Sequence, residues 1–227
     1  MTWPQALTTG PPLLPGLMAA SCWMMLMRGL SALQAPVKMR LARPAVKEVP
    51  PYVLHVGGTR ARKNVPLLLR AFARYRLQGG RAALVMAGPG DPPSRLPAGA
   101  WTLGYVSDAL LLALYDGASA LVVPSESEGF GLPCLEAMAR GVPVVVAGTG
   151  SLPEVVGDAG VVTPPGDDAL AAAMLRLERE PAERASLVAR GRERAAAASW
   201  ERSARLLRDA VPIVFVSIAR SSAASPP

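Results

Sequence analysis

Short apolar runs alternate with longer amphipathic segments between residues 49 and 211. Most of the apolar runs are continuous, which is typical of strands covered by helices on both faces of a sheet. They predict strands at Tyr52–Val56, Ala82–Ala87, Trp101–Gly104, Ala118–Val123, Val142–Ala147 and Gly160–Thr163. The segments between them predict helices at about Val65–Gln78, Ser107–Asp116, Leu132–Arg140 and Leu152–Val156. Further helices are predicted after the last strand, at Asp168–Arg179, Pro181–Ala197 and Trp200–Ala210.

Repeated strand–helix–strand units predict a doubly wound parallel sheet of the Rossmann-like type, because crossovers between parallel strands are right-handed. The expected fold class is α/β, with helices on both faces and a helical carboxy-terminal segment. Ligands of such sheets bind at the carboxyl ends of the strands. The sequence concentrates its Gly, Pro and charged residues at those ends, so we expect the functional residues there.

The two ends of the chain lack the alternating pattern. We expect residues 1–48 to be an irregular apolar and basic extension and residues 212–227 to be a tail. The apolar run at residues 12–27 is shorter than the ~20 residues that a spanning helix needs, and no Lys or Arg precedes it as in a secretory signal. We therefore expect a cytoplasmic protein, with peripheral attachment to the inner membrane surface as the alternative.

The charge balance raises the question of nucleic acid binding. The 227 residues include 24 Lys and Arg against 17 Asp and Glu, which gives a net charge of +7 and an isoelectric point of about 10.1. Four of those seven excess charges lie in residues 1–48. Aromatic residues are only 5% of the chain and are not interleaved with basic ones. We therefore expect no nucleic acid partner.

The strongest candidate for chemistry is the block from Pro124 to Pro143, which begins where a predicted strand ends and continues into a predicted helix. Its Gly129-Phe130-Gly131-Leu132 loop precedes that helix, whose first N–H groups lack partners and favour an anion. Glu128 lies just before the loop, and we place Glu136 in the first turn of the helix. An anion site between two carboxylates suits a nucleotide-sugar, with phosphates in the middle and hydroxyl-rich groups on either side.

The block resembles the E-x7-E signature of the retaining glycosyltransferases of family 4, which have two Rossmann-like domains in the GT-B fold. Other motifs agree in order and spacing over roughly residues 50–210. They are Val56-Gly57-Gly58 with Arg62-Lys63-Asn64, Met86-Ala87-Gly88-Pro89-Gly90, Gly104-Tyr105-Val106-Ser107 with Leu114-Tyr115-Asp116-Gly117-Ala118, the stretch from Ser151 to Gly160, and Ser199-Trp200.

The resemblance implies a role for each matching residue. Arg62 and Lys63 would neutralise the donor diphosphate and help the leaving group depart, beside the Gly57-Gly58 loop. Glu128 would contact the donor sugar, Glu136 the ribose hydroxyls, and the Val106 backbone the base. The backbone around the loop would hold sugar hydroxyls and phosphate, at Gly129, Phe130, Gly131 and Leu132.

The resemblance also implies a UDP- or GDP-sugar donor, a sugar or lipid-linked acceptor, and no cofactor. It leans towards relatives that transfer mannose. The family is metal-independent, and the single His and two Cys of this chain have no metal-ligand spacing.

Each of these residues also has an ordinary structural interpretation. Glu136 could simply favour the helix dipole, and Glu128 could be an exposed loop acid. Arg62 and Lys63 could be solvated charges before a helix. We interpret the remaining reactive groups as packing residues, with His55 inside its strand and Cys134 facing the core.

The second GT-B domain is not recognisable in the sequence, since residues 1–48 show no strand–helix pattern and are too few for a domain. We expect a donor-binding domain of a retaining hexosyltransferase that needs a missing or partner acceptor domain. A non-catalytic nucleotide-sugar-binding module and a truncated inactive fragment are the alternatives.

Overall fold

Six short strands form the centre of the molecule in a computed structural model, which describes residues 50–209. The strands are β1 (Tyr52–Val56), β2 (Ala83–Ala87), β3 (Ala100–Thr102), β4 (Ala120–Val123), β5 (Val144–Ala147) and β6 (Val161–Thr163). Every neighbouring pair is parallel, and the strand order is β3-β2-β1-β4-β5-β6. The predicted α/β fold with a Rossmann-like sheet is therefore confirmed.

The helices occupy the segments that the apolar periodicity predicts. They are α1 (Val65–Leu77), α2 (Asp108–Gly117), α3 (Leu132–Ala139), α4 (Leu152–Val156), α5 (Asp167–Arg179) and α6 (Pro181–Ala197). Short 3-10 turns lie at Ala61–Lys63 and Gly157–Ala159, and residues 200–209 are helical. The predicted extension at residues 1–48 and the predicted tail at residues 212–227 lie outside the described residues.

Two apolar layers hold the helices on the sheet, because successive strand residues point to opposite faces. On one face, Val53 and Val122 pack in the same cluster as residues of α1 and α5, including Phe72 and Leu170. On the other face, a second cluster joins the strands to α2, α3 and α4 through Leu54, Val146, Tyr115, Met138 and Leu152. Burial on both faces explains why the strands are continuous apolar runs rather than alternating ones.

The chain reverses its direction of travel across the sheet between β1 and β4. The strands β1, β2 and β3 follow one another towards one edge, and β4, β5 and β6 follow one another towards the other. The loops after β1 and β4 therefore diverge at their carboxyl ends and leave a crevice where ligands of such sheets bind. We therefore expect a ligand-binding site between these two loops.

The helix α3 begins at Leu132, as predicted, but Glu136 lies beyond its first turn. Gly131 is the N-cap residue and Leu132 is the first helical residue, so Glu136 is the fifth. The placement of Glu136 in the first turn was therefore wrong, because no acidic residue lies in that turn. Glu136 therefore lies at the start of the second turn of α3.

Candidate functional site

The loops after β1 and β4 bring the predicted basic pair onto the first predicted carboxylate. Arg62 Nη1 lies 2.8 Å from Glu128 Oε2, and Lys63 Nζ lies 2.7 Å from Glu128 Oε1. The 3-10 turn Ala61–Lys63 directs the basic side chains, and the Arg62 carbonyl accepts a hydrogen bond from the Glu126 N–H at 2.9 Å. Main chain and side chains thus join two loops that are more than 60 positions apart in the sequence.

The carboxylate of Glu128 is held in its ionised form. Burial by itself raises the pKa of Glu128, but hydrogen bonds from Lys63, Ser125 and Arg62 outweigh burial and lower it. Its side chain is only 7% exposed, as is that of Lys63, whereas the Arg62 side chain is 46% exposed. The cluster therefore has one buried cation, one accessible cation and one buried anion.

Lys63 lies directly over Gly57 of the β1 loop. A Cβ atom on Gly57 would be 2.6 Å from Lys63 Cε and 2.8 Å from Lys63 Nζ, closer than real Cβ contacts. The absence of a side chain at this position lets the amine pack against the main chain. Glycine at position 57 therefore leaves the room that the Lys63 side chain occupies.

Hydroxyl groups fix the loop that carries Glu128. Ser125 is fully buried and donates from Oγ to Glu128 Oε1 at 2.6 Å. Thr149 Oγ1 donates to the Ser125 carbonyl, and Ser151 Oγ donates to the Glu128 carbonyl at 2.9 Å. Sequence reasoning missed the roles of Ser125 and Thr149, and the signal for them was their position two residues after the ends of strands β4 and β5.

Glu136 is in a different environment from Glu128. Its carboxylate accepts a hydrogen bond of 2.8 Å from the hydroxyl of Tyr115, a fully buried residue of α2. Burial raises the pKa of Glu136, the Tyr115 hydrogen bond opposes that rise, and the charge of Asp108 adds to it. The structure thus places the second predicted carboxylate against Tyr115 and outside the hydrogen bonds that join Glu128 to the basic pair.

Replacing Glu136 with Gln should stabilise the fold at neutral pH by roughly 1 kcal/mol. A carboxyl with a raised folded-state pKa binds more protons when folded, so its favourable contribution is present at low pH. That contribution is lost as the pH rises from the ordinary carboxyl range through the raised pKa. Urea unfolding at pH 4 and at pH 7.5 should show the Gln variant gaining only at the higher pH. The same change at the exposed Glu154 is the control, and an equal gain at both pH values would contradict the prediction.

The remaining predicted residues differ in how exposed they are. Phe130 is 55% exposed, and a Cβ on Gly129 would meet nothing within 4 Å. Val106 and Leu132 are half-buried and Gly131 is buried. Gly58 packs against the neighbouring loop after β2, where the Thr59 N–H donates to the Pro89 carbonyl. Some of the predicted donor-binding residues are therefore accessible to a ligand, and others are buried.

Two reactive side chains are packing residues, in agreement with the prediction. His55 is 1% exposed with Nδ1 3.0 Å from the Val122 carbonyl, and burial lowers its pKa. Cys134 is fully buried, and burial raises its pKa to about 12. The raised pKa keeps Cys134 a thiol at neutral pH, and burial keeps the His55 ring away from solvent.

Residues 50–209 contain neither a cluster of metal-binding side chains nor a membrane-spanning helix. No three His, Cys, Asp or Glu side chains of this part converge closely enough to hold a metal ion. None of its helices has the length and apolar character required to cross a membrane.

Comparisons with known proteins identify the family of this chain. The family described as "Glycosyl transferases group 1" matches residues 41–194. The O-antigen chain mannosyltransferase B of Escherichia coli is 41% identical over 162 residues, covering 66% of this chain and 42% of that protein. The MMP alpha-(1->4)-mannosyltransferase of Mycolicibacterium hassiacum is 38% identical over 152 residues, covering 61% of this chain and 37% of that protein.

Solved structures are similar as well. Sucrose-phosphate synthase from Thermosynechococcus elongatus superposes with a TM-score of 0.64 at 30% identity, covering 76% of this chain and 47% of that chain. The chain thus spans less than half the length of the relatives that it matches. Because the family model matches more than half of its residues, this chain belongs to the group 1 glycosyltransferases.

Proposed function

We propose that this chain forms the donor-binding half of a retaining hexosyltransferase of family 4. The donor would be a UDP- or GDP-sugar and the acceptor a sugar or a lipid-linked sugar. The observation that carries the proposal is the convergence of Arg62, Lys63 and Glu128 in the crevice between β1 and β4. Two relatives named as mannosyltransferases favour a hexose donor, and mannose in particular.

The two basic side chains suit the diphosphate of the donor. When the bond between the sugar and the diphosphate breaks, negative charge develops on the departing phosphate oxygen. Cations held in place before the reaction stabilise that charge without reorganising. Arg62 is accessible enough to meet the phosphate from solvent, and Lys63 supplies a fixed charge deeper in the crevice.

The carboxylates suit the hydroxyl-rich groups on either side of the diphosphate. We assign Glu128 to the donor sugar and Glu136 to the ribose, with the Val106 backbone near the base. The half-buried Glu136 already accepts a hydrogen bond from a hydroxyl group, that of Tyr115. The open loop at Gly129 and Phe130 leaves space for the sugar beside Glu128.

Transfer requires more than residues 50–209 provide, because a cleft needs a second wall to orient the acceptor and exclude water. We propose that an acceptor domain, from elsewhere in a longer protein or from a partner chain, supplies that wall. The alternative is a module that binds the donor without transferring its sugar. We propose transfer without a metal ion, in the cytoplasm or at the inner membrane surface.

Binding of the donor is the direct test. We expect UDP, GDP or one of their sugars to raise the melting temperature of the full chain by several degrees at concentrations well above Kd. Calorimetric titration of each nucleotide should give one site per chain. If no nucleotide or nucleotide-sugar alters the melting temperature or produces heat, the proposal is wrong. Turnover with sugar and lipid-linked acceptors separates the transferase from the binding module.

A further inference from the structure

The cations of the proposed phosphate site already have an anionic partner. Lys63 and Arg62 each donate to one oxygen of the Glu128 carboxylate, at 2.7 and 2.8 Å. Phosphates favour the same two side chains, because charge-assisted hydrogen bonds to oxyanions are their strongest contacts. Glu128 and a diphosphate are therefore candidates for the same donors.

Because Lys63 is buried, Glu128 and a diphosphate compete directly for its amine. Its side chain is 7% exposed, and an ammonium group removed from water needs a counter-charge. A Cβ atom on Gly57 would lie 2.8 Å from Lys63 Nζ, so the main chain of Gly57 borders one side of the amine. The lysine is thus confined between the β1 loop and Glu128, and it has little freedom to take a second anion while it retains the first.

We propose that Glu128 is the built-in counter-anion of the phosphate site and that a diphosphate binds by exchange with it. The phosphate oxygens take over Arg62 and Lys63, and the carboxylate is released towards the sugar side of the crevice. This inference rests on the proposed function for its ligand and adds how that ligand enters.

The loop geometry allows such an exchange with side-chain motion alone. The Glu128 main chain is held by the Ser151 hydroxyl, and the Thr149 hydroxyl holds the Ser125 carbonyl in the same loop. The 46% exposed Arg62 can contact an incoming phosphate while Glu128 still holds Lys63. Exchange therefore starts at Arg62 and ends at Lys63.

The exchange couples two parts of donor recognition. While Glu128 is bonded to both cations, its oxygens are occupied and a sugar hydroxyl has to compete for them. Once the diphosphate holds the cations, the carboxylate is available to accept hydrogen bonds from the sugar. The free sugar should therefore bind poorly without a nucleoside diphosphate.

Removing the negative charge of Glu128 is the test, with inorganic pyrophosphate as the probe. The Glu128→Gln variant of the full chain should bind pyrophosphate at least about tenfold more tightly than the unaltered chain, since the competing charge is gone. Glu126→Gln is the matched control, because Glu126 is an exposed acid of the same loop. Its affinity for pyrophosphate should change less than about twofold, as expected for an exposed charge. Equal or weaker binding by Glu128→Gln overturns the exchange.

A second variant covers the case in which Glu128→Gln does not fold. Ser125→Ala keeps the Glu128 charge but removes the 2.6 Å hydrogen bond that stabilises the carboxylate next to Lys63. The carboxylate is then easier to displace, and pyrophosphate binding should tighten by about two- to fivefold. Weaker binding by this variant overturns the exchange as well.

Parallel titrations with UDP and GDP separate this inference from the proposed function. If pyrophosphate binding tightens in Glu128→Gln while the nucleotides and their sugars never bind, the exchange stands and the proposed function fails. If nucleotides bind the unaltered chain and bind Glu128→Gln more weakly, the proposed function stands and the exchange fails. If the unaltered chain and Glu128→Gln both bind neither pyrophosphate nor nucleotide, both are refuted.

Discussion

Replacing Lys63 with Ala should weaken the binding of UDP or GDP by about 10- to 100-fold. The reason is the loss of a charge-assisted hydrogen bond between the lysine amine and the phosphate. Lys63 is the buried cation of the crevice, and its amine is confined between Gly57 and Glu128. Arg62 contacts the other oxygen of the same carboxylate and is 46% exposed, so it does not duplicate the buried charge of Lys63.

The same change should cost about 1–3 kcal/mol of the free energy of unfolding, because a buried carboxylate loses a partner. Glu128 keeps Arg62 and Ser125, so the fold should survive and the loss of binding can be measured by calorimetry. Arg60→Ala is the control, since Arg60 is an exposed basic residue three positions earlier. Nucleotide affinity that is unchanged in Lys63→Ala, or lowered equally in both variants, would exclude Lys63 from the site.

Replacing Gly58 with Ala should cost about 3–5 kcal/mol of stability, within the range of severe single substitutions. A Cβ at this position would lie 2.0 Å from the carbonyl oxygen of Pro89, which is a main-chain atom that cannot rotate away. Gly58 also has φ +70, a conformation that costs other residues about 1–2 kcal/mol. Because the loop leads directly to Arg62 and Lys63, the variant should also lose nucleotide binding.

The Gly104→Ala variant separates the cost of the positive φ from the cost of the clash with Pro89. Gly104 has a similar φ of +63, but a Cβ there would meet nothing within 4 Å. Urea unfolding should show a loss of only about 1–2 kcal/mol for this variant, from backbone conformation alone. Equal losses for Gly58→Ala and Gly104→Ala would mean that the loops after β1 and β2 separate easily and that their packing does not support the site.

The basic pair and Glu128 lie in two loops whose contact depends on the order of the strands. Their motifs predicted that each would lie in a loop after a strand of one sheet. That they form hydrogen bonds with one another depends on β1 and β4 being neighbours, as the register of Val53 with Ala120 shows. Strand order is a property of the whole sheet, and no local pattern around Arg62 or Glu128 contains it.

The hydrogen-bond partner of Glu136 could not be predicted from the sequence either. Glu136 is the fifth residue of α3, just beyond the first turn in which it was placed. Each residue along a helix rotates the side chain by about 100°, so a small misplacement changes which groups a carboxylate can reach. Tyr115 is its partner only because α2 and α3 pack on the same face of the sheet. The Tyr115–Glu136 hydrogen bond was therefore not predictable, although both residues lie in motifs that the sequence singled out.

The sequence alone determined the order of strands and helices and which loops carry the candidate site residues. Apolar periodicity reports whether a segment is covered on one face or two, and that information is local. Only the tertiary structure decided that Lys63 is buried, that Glu128 is its counter-charge, and that Ser125 holds that carboxylate. Burial and charge pairing depend on which distant segments exclude water from a side chain, and in this protein those segments meet where the sheet reverses between β1 and β4.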